Sequence, residues 1–263
     1  MPTAFIHNVQ IHYTLEGAAT APVLLFSNSL GSNLSMWDAQ ASALSKSFRI
    51  LRYDTRGHGQ SSTTPGPYTI AQLAQDVLAL LDSLQLDRVH FCGLSKGGMI
   101  GMHLAAYGSS RLHKLVLCNT GAQLGTPEFW NARITAVQQN GMPSISRAVA
   151  DRWLTPSFRT AHPNVDASLV KMIEATDPSG YAANCAAIRD FDFRQNLTSI
   201  LVPTFVIAGA HDAAATPAQG QSLAAKIPGA RSYSELPGAH LSNIECSDRF
   251  TSELQTFLSA PTP

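Results

Sequence analysis

The sequence predicts an α/β fold, a mainly parallel β-sheet flanked by helices, interrupted in mid-chain by an inserted helical cap. Three observations carry this. Short apolar runs alternate with longer stretches of helical spacing through the first 120 residues and again after residue 200. One of these runs, "PVLLFSN" at 22–28, is almost continuously apolar, as expected of a strand covered on both faces. From Gly121 to about Ser199 the strand signal is absent and only helix-like pieces remain.

In chain order, "FIH" and "IHYTLEG" read as the first strands and "PVLLFSN" as the next. A helix over 33–45 precedes the strand "FRILRYD" (48–54) and the turn-rich "TRGHGQSSTTPGP". The segment "TIAQLAQDVLALLDSLQ" sets Ile70, Leu73, Val77, Leu78 and Leu81 three and four residues apart, the stripe of an amphipathic helix. The strand "RVHFCGL", a helix after Ser95 and the strand "KLVLCNT" (114–120) follow. In the insertion, Thr126 is the N-cap of a helix with Pro127 at its first position, and further helices are expected over 145–154, 167–175 and 182–191. Strands resume at "VPTFVIAG" (202–209) and "RSYSEL", with helices over 217–227 and 248–258. The chain therefore divides into a core of residues 1–120 and 200–263 and a helical cap of residues 121–199, set to cover the strand ends. Ligands of such sheets sit outside the carboxyl ends of the strands.

Composition narrows the function. The 18 Lys and Arg balance the 18 Asp and Glu, only 14% of residues are charged, and no basic cluster stands out, so a nucleic-acid or anionic-membrane partner is not expected. A small, weakly charged ligand fits better. The amino terminus "MPTAFIHNVQIHYTLEG" has no basic-then-apolar leader pattern, and no apolar run approaches the roughly 18 residues of a membrane span, so a cytoplasmic location is expected. Cys92, Cys118, Cys185 and Cys246 lack metal-ligand spacing and read as free thiols, Cys92 and Cys118 within strands. Neither metal nor organic cofactor is expected, and the oligomeric state stays open.

Gly93-Leu94-Ser95-Lys96-Gly97 fits the G-x-S-x-G pattern in the context it requires, a strand before and a helix after. A turn this tight strains the serine and needs small neighbours, and it holds the hydroxyl clear of the sheet at a helix N-terminus. The plainer alternative is a serine that merely caps a helix. A hydroxyl needs a base, and the base an orienting acid. Asp212 follows the strand "FVIAG", and His240 follows the strand "RSYSEL", so both emerge at the same sheet edge as Ser95, in the order nucleophile, acid, base found in α/β-hydrolases. His7, His12, His90, His103 and His113 lie in or beside regular elements, His58 in the "RGHG" loop and His162 in the insertion; His211 leaves no acid-to-base order. Asp190 and Asp192 close the insertion and Glu235 lies within a strand, which leaves Asp212 better placed.

Taken together, "DTRGHGQSS", "GLSKGGM", "GAHD" and "GAHLSNIE" resemble the α/β-hydrolase superfamily. The segments "LLFSNSLGSNLSMWD" and "LVLCNTGAQLGTPEFWNARI" are similar to 3-oxoadipate enol-lactonases. That resemblance, running from about Phe26 to Glu245, implies the α/β-hydrolase fold and opening of a carboxymethyl-bearing lactone by a Ser95–His240–Asp212 triad through an acyl-enzyme, within aromatic catabolism. It puts the oxyanion hole on the backbone N–H groups of Lys96 and Leu30, with Ser29 as the fallback and Gly31 helping the loop bend. Relatives commonly carry an apolar residue at the position of Lys96; its side chain is expected to be solvated or salt-bridged, the alternative being that it sees the charge of the substrate. Arg133, three residues after Trp130, shares a helix face with it. Either Arg133 binds the substrate carboxylate while Trp130 packs on the ring, or Arg133 is solvated and Trp130 fills the core of the cap. Trp153 is a further candidate lining residue. A general carboxylesterase or perhydrolase, and a small-molecule sensor that retains the triad, are the alternative functions.

Overall fold

The computed structural model describes residues 2–261. Its eight strands are β1 (Thr3–Ile6), β2 (Val9–Glu16), β3 (Val23–Ser27), β4 (Arg49–Tyr53), β5 (Val89–Leu94), β6 (Leu112–Cys118), β7 (Thr204–Gly209) and β8 (Ala230–Leu236). They form one sheet in the order β1-β2-β4-β3-β5-β6-β7-β8. From β4 to β8 all pairings are parallel; β1 and β2 form an antiparallel hairpin that adds to β4. Strands β3, β5 and β7 are buried at every position, the outcome expected of uninterrupted apolar runs with helices on both faces.

The core helices are α1 (Asp38–Leu44), α2 (Ile70–Ser83) and α3 (Lys96–Tyr107) before the insertion. The cap segment carries α4 (Pro127–Asn140), α5 (Pro143–Trp153), α6 (Pro156–Ala161), α7 (Pro163–Glu174) and α8 (Pro178–Arg189), and α9 (Pro217–Lys226), α10 (Ser242–Glu245) and α11 (Ser247–Ser259) follow it. Helix α2 starts where Thr69 Oγ1 accepts the N–H of Gln72, and it buries Ile70, Leu73, Val77, Leu80 and Leu81. Leu80 rather than Leu78 completes the buried stripe.

Every cap helix begins with a proline at its first turn, where the missing N–H costs no hydrogen bond. This corrects the expected bounds: α5, α7 and α8 start earlier than the apolar spacing suggests, and α6 was not expected at all. The segment expected as a helix over 33–45 is a 3₁₀ turn, Leu34–Trp37, running into α1. Helix α4 packs on α8 and α5 on α7. No helix among the described residues is long and apolar enough to cross a membrane. All four cysteines are free, with Cys92 and Cys118 buried 3.7 Å apart on neighbouring strands.

Candidate active site

The carboxyl ends of β5, β7 and β8 deliver the three residues singled out by motif. Ser95 stands between β5 and α3 at φ 58° and ψ −116°, a conformation that costs a non-glycine residue energy and must be enforced by its surroundings. The enforcement is visible. The Ser95 N–H donates to the Cys118 carbonyl at 2.9 Å, and the Ser95 carbonyl accepts from Thr120 Oγ1 at 2.7 Å. A Cβ on Gly93 would collide with the backbone of Gly97, and one on Gly97 with the Ser27 carbonyl, so side chains at either position would push the elbow apart.

Asp212 lies just beyond β7 and His240 beyond β8. His240 Nδ1 is 2.8 Å from Asp212 Oδ2, and both side chains are buried. Asp212 Oδ1 accepts the N–H groups of Ala214 and Ala215 at 2.8 and 2.9 Å, and Oδ2 also accepts from Asn119 Nδ2 at 3.1 Å. Burial by itself would raise the Asp212 pKa, but the His240 charge and these donors outweigh it and hold the carboxyl below its ordinary range. Asp212 is therefore an anion at neutral pH, able to orient the imidazole and to stabilise its protonated form.

Asn119 escapes sequence reasoning because it looks like the end of a strand. It is instead a non-glycine residue at φ 47°, just past β6 and so between the strands that carry Ser95 and Asp212. Its side chain also donates to the Ala239 carbonyl at 3.1 Å and accepts from Ser242 Oγ at 2.6 Å, tying the acid to the loop that bears His240. Glu245 pins the same loop to the cap by accepting the N–H groups of Ala239 and Thr155 at 2.9 and 3.1 Å. The Leu241 N–H reaches the Trp153 carbonyl at 2.8 Å.

Ser95 and His240 line one cavity of about 350 Å³ between core and cap, at the small end of the ligand-site range. Ser29, Leu30, Trp130, Arg133 and Trp153 line it as well; Asp212 and the Lys96 side chain do not. Phe129, Arg152 and Tyr181 also contribute walls, and no motif pointed to them. The Trp130 indole N–H donates to the Leu124 carbonyl at 2.6 Å, which fixes the ring against the cavity. The Arg133 guanidinium lies 4.7 Å from the Phe129 ring centre and 5.5 Å from that of Trp130, and Arg152 lies 5.4 Å from Phe129. Neither arginine has a carboxylate within salt-bridge distance among the described residues. The backbone N–H groups of Leu30 and Lys96 likewise have no acceptor among the described residues. No group of His, Cys, Asp and Glu side chains there is arranged to hold a metal.

The Lys96 side chain contradicts its expected surface role. It is wholly buried, makes no ion pair among the described residues, and donates from Nζ to Asn184 Oδ1 of α8 at 3.1 Å. Desolvation lowers its pKa to about 7, against weaker opposing fields from Cys185 and Asp54. Residue 96 follows a strained elbow whose helix starts under the cap, so its side chain has no route to water; residue type alone carries no sign of this.

Comparison with known proteins agrees with this architecture. A family model described as alpha/beta hydrolase fold matches residues 22–246. The chain is 39% identical over 256 residues to 3-oxoadipate enol-lactonase 2 of Acinetobacter baylyi, covering 97% of this chain and 96% of that protein. It is 30% identical over 249 residues to a putative carbamate hydrolase, RutD, of Pseudomonas syringae, covering 92% and 95%. Among solved structures, the enol-lactonase from Burkholderia xenovorans LB400 superposes with a TM-score of 0.97 at 48% identity, covering 98% of this chain and 100% of that one.

Proposed function

We infer the reaction from the family and from the walls of the cavity. The chain belongs to the α/β-hydrolase family and is a hydrolase of carboxylic ester bonds. Its substrate, in our reading, is 3-oxoadipate enol-lactone and its product 3-oxoadipate, a step of aromatic catabolism.

The observation that carries this reading is an arginine without a carboxylate partner among the described residues, Arg133, on the wall of a small, mostly apolar cavity that Ser95 and His240 also line. An apolar wall suits a lactone ring, and a guanidinium suits the single carboxylate of a carboxymethyl group. The names of the relatives at 39% and 35% identity support the same choice.

In the reaction, Ser95 Oγ attacks the lactone carbonyl carbon while His240 Nε2 takes the hydroxyl proton. The carbonyl oxygen becomes an oxyanion, received by the N–H groups of Leu30 and Lys96. Collapse of this intermediate breaks the ring C–O bond. The leaving oxygen departs as an enolate, which takes the proton from His240 and ketonises; because the bond lies in a ring, the leaving group stays on the acyl chain. Water then attacks the Ser95 ester, giving its proton to His240, and the second collapse returns that proton to Ser95 and frees the product. Asp212 holds the imidazole in the tautomer with Nε2 free to accept, and stabilises the cation formed in each half-reaction.

A spectrophotometric assay of enol-lactone opening tests the reading. Wild-type turnover that disappears in Ser95→Ala is the expected result. Activity on simple esters with none on the lactone would instead favour a general carboxylesterase, and a protein that binds the lactone without turnover would favour a sensor.

A further inference from the structure

The side chain of Lys96 begins a buried chain of hydrogen bonds that returns to the other side of the oxyanion hole. Lys96 Nζ donates to Asn184 Oδ1 at 3.1 Å. Asn184 Nδ2 donates to the carbonyls of Arg56 and Gly180 at 2.9 and 2.8 Å, so its amide cannot be turned round and Oδ1 must accept. His58 Nε2 accepts the Gly31 N–H at 2.9 Å. In a neutral ring this leaves the proton on Nδ1, which acts on the same Arg56 carbonyl that Asn184 Nδ2 reaches; Asn184 Nδ2, 3.4 Å from Nδ1, is itself a donor, so the two side chains meet through that carbonyl and not directly. The peptide of Gly31 directly follows Leu30. One buried network therefore ties the residue that supplies the first oxyanion donor, Lys96, to the loop that supplies the second, Leu30, by way of the cap helix α8 and the "RGHG" loop.

We propose that the Lys96 ammonium is a positioning residue for the oxyanion hole, holding the Lys96 and Leu30 N–H groups at the separation a tetrahedral oxygen needs, and that turnover therefore depends on its proton. This rests on the serine-hydrolase reading given above. A charged donor binds Asn184 roughly twice as strongly as a neutral amine, and a cation sealed behind the hole adds a field of the sign that favours the developing oxyanion. Both contributions vanish when Nζ loses its proton. The groups that surround it do not replace that charge. On α8 they are Asn184 and the thiol of Cys185, itself pushed up to about 12 by burial. On the loop after β4 they are His58, held neutral by burial and by Lys96, and Asp54, already engaged by His12 Nδ1, Gln60 N and Leu34 N. Arg56 is committed to Asp76 through two bonds of 2.8 and 2.6 Å, and Arg133 approaches the same region from α4, where it acts on Cys185. With burial dominant, the amine titrates near neutrality.

The test measures kcat and KM from about pH 5.5 to about pH 9.5 on enol-lactone and on p-nitrophenyl acetate, for wild type, Lys96→Met and Asn184→Asp. In the wild type, kcat is expected to fall on the alkaline side with a midpoint near neutrality. Lys96→Met keeps both backbone donors, so its kcat should drop roughly 10-fold, less than the 10²–10³ of deleting a donor, with KM within about twofold and no alkaline fall. Asn184→Asp gives Nζ an anionic partner and should carry the midpoint upward by about one pH unit or more. An alkaline fall that survives in Lys96→Met, or a Lys96→Met enzyme with wild-type kcat, overturns the proposal. Should Asn184→Asp fail to fold, the Lys96→Met comparison decides alone. The neutral ester separates this idea from the substrate assignment: wild-type activity on p-nitrophenyl acetate but not on the lactone would defeat the lactonase reading, while the pH comparison on the ester would still judge Lys96.

Discussion

Replacing Lys96 by methionine should make the protein more stable, and more so in mild acid than in mild alkali. The amine is wholly buried with one neutral acceptor, and burial moves it from the ordinary 10.5 to about 7. At roughly 1.4 kcal/mol per pH unit, the fully protonated side chain costs the fold about 5 kcal/mol. The sign follows from proton counts. Between about 7 and 10.5 the unfolded chain binds the proton and the folded chain releases it, so the cost is complete below about 7, shrinks as pH rises, and is gone above 10.5. Methionine fills a similar volume without the charge but leaves Asn184 Oδ1 without its donor, at about 1–3 kcal/mol. The net gain is then about 2–4 kcal/mol near pH 6 and close to zero near pH 9, where only about 2 kcal/mol of the lysine cost remains. Urea unfolding followed by tryptophan fluorescence at several pH values measures it. A variant no more stable than wild type at pH 6, or a gain that does not change with pH, would refute the reasoning. Stability gained at the expense of turnover is what a buried functional charge entails.

Two further substitutions probe the site. Asn119→Ala removes one donor from Asp212 and the acceptor of Ser242 Oγ, and should cost about 2 kcal/mol of stability at neutral pH. Because Asp212 is held below its ordinary value, its contribution is present above the unfolded carboxyl range and is lost as pH falls through the folded value. Weakening that hold should start acid unfolding at a higher pH than in wild type; coincident acid transitions would remove Asn119 from the account. Arg133→Ala should raise KM for the enol-lactone roughly 10- to 100-fold, the value of a charge-assisted contact, with kcat little changed. An unchanged KM would mean that the substrate carboxylate lies elsewhere, with Arg152 the next cation on the wall.

The sheet and its elbow were legible because their signals are local. Continuous apolar runs mark β3, β5 and β7, and a serine between glycines marks the turn after β5. Asp212 and His240 stood out for the same reason, each directly after a strand. The cap was harder. Apolar spacing places the starts of α5, α7 and α8 too late; the beginnings of the cap helices are written instead in prolines at 127, 143, 156, 163 and 178. What could not be read were contacts made across long stretches of chain. Asn119 meets Asp212 across 93 residues and Lys96 meets Asn184 across 88, so only the folded arrangement reveals that one steadies the acid and the other is sealed from water. His58, a loop histidine in the sequence, accepts the Gly31 N–H and lies beside Asn184, the partner of Lys96, by the same kind of distant contact.

Mass spectrometry of protein quenched in acid during turnover of enol-lactone tests the covalent chemistry most directly. Ring opening keeps the leaving group on the acyl chain, so the peptide containing Ser95 should gain the whole mass of the lactone, and the Ser95→Ala protein should gain nothing. Steady turnover with no adduct on that peptide, or an adduct on another residue, would contradict attack by Ser95.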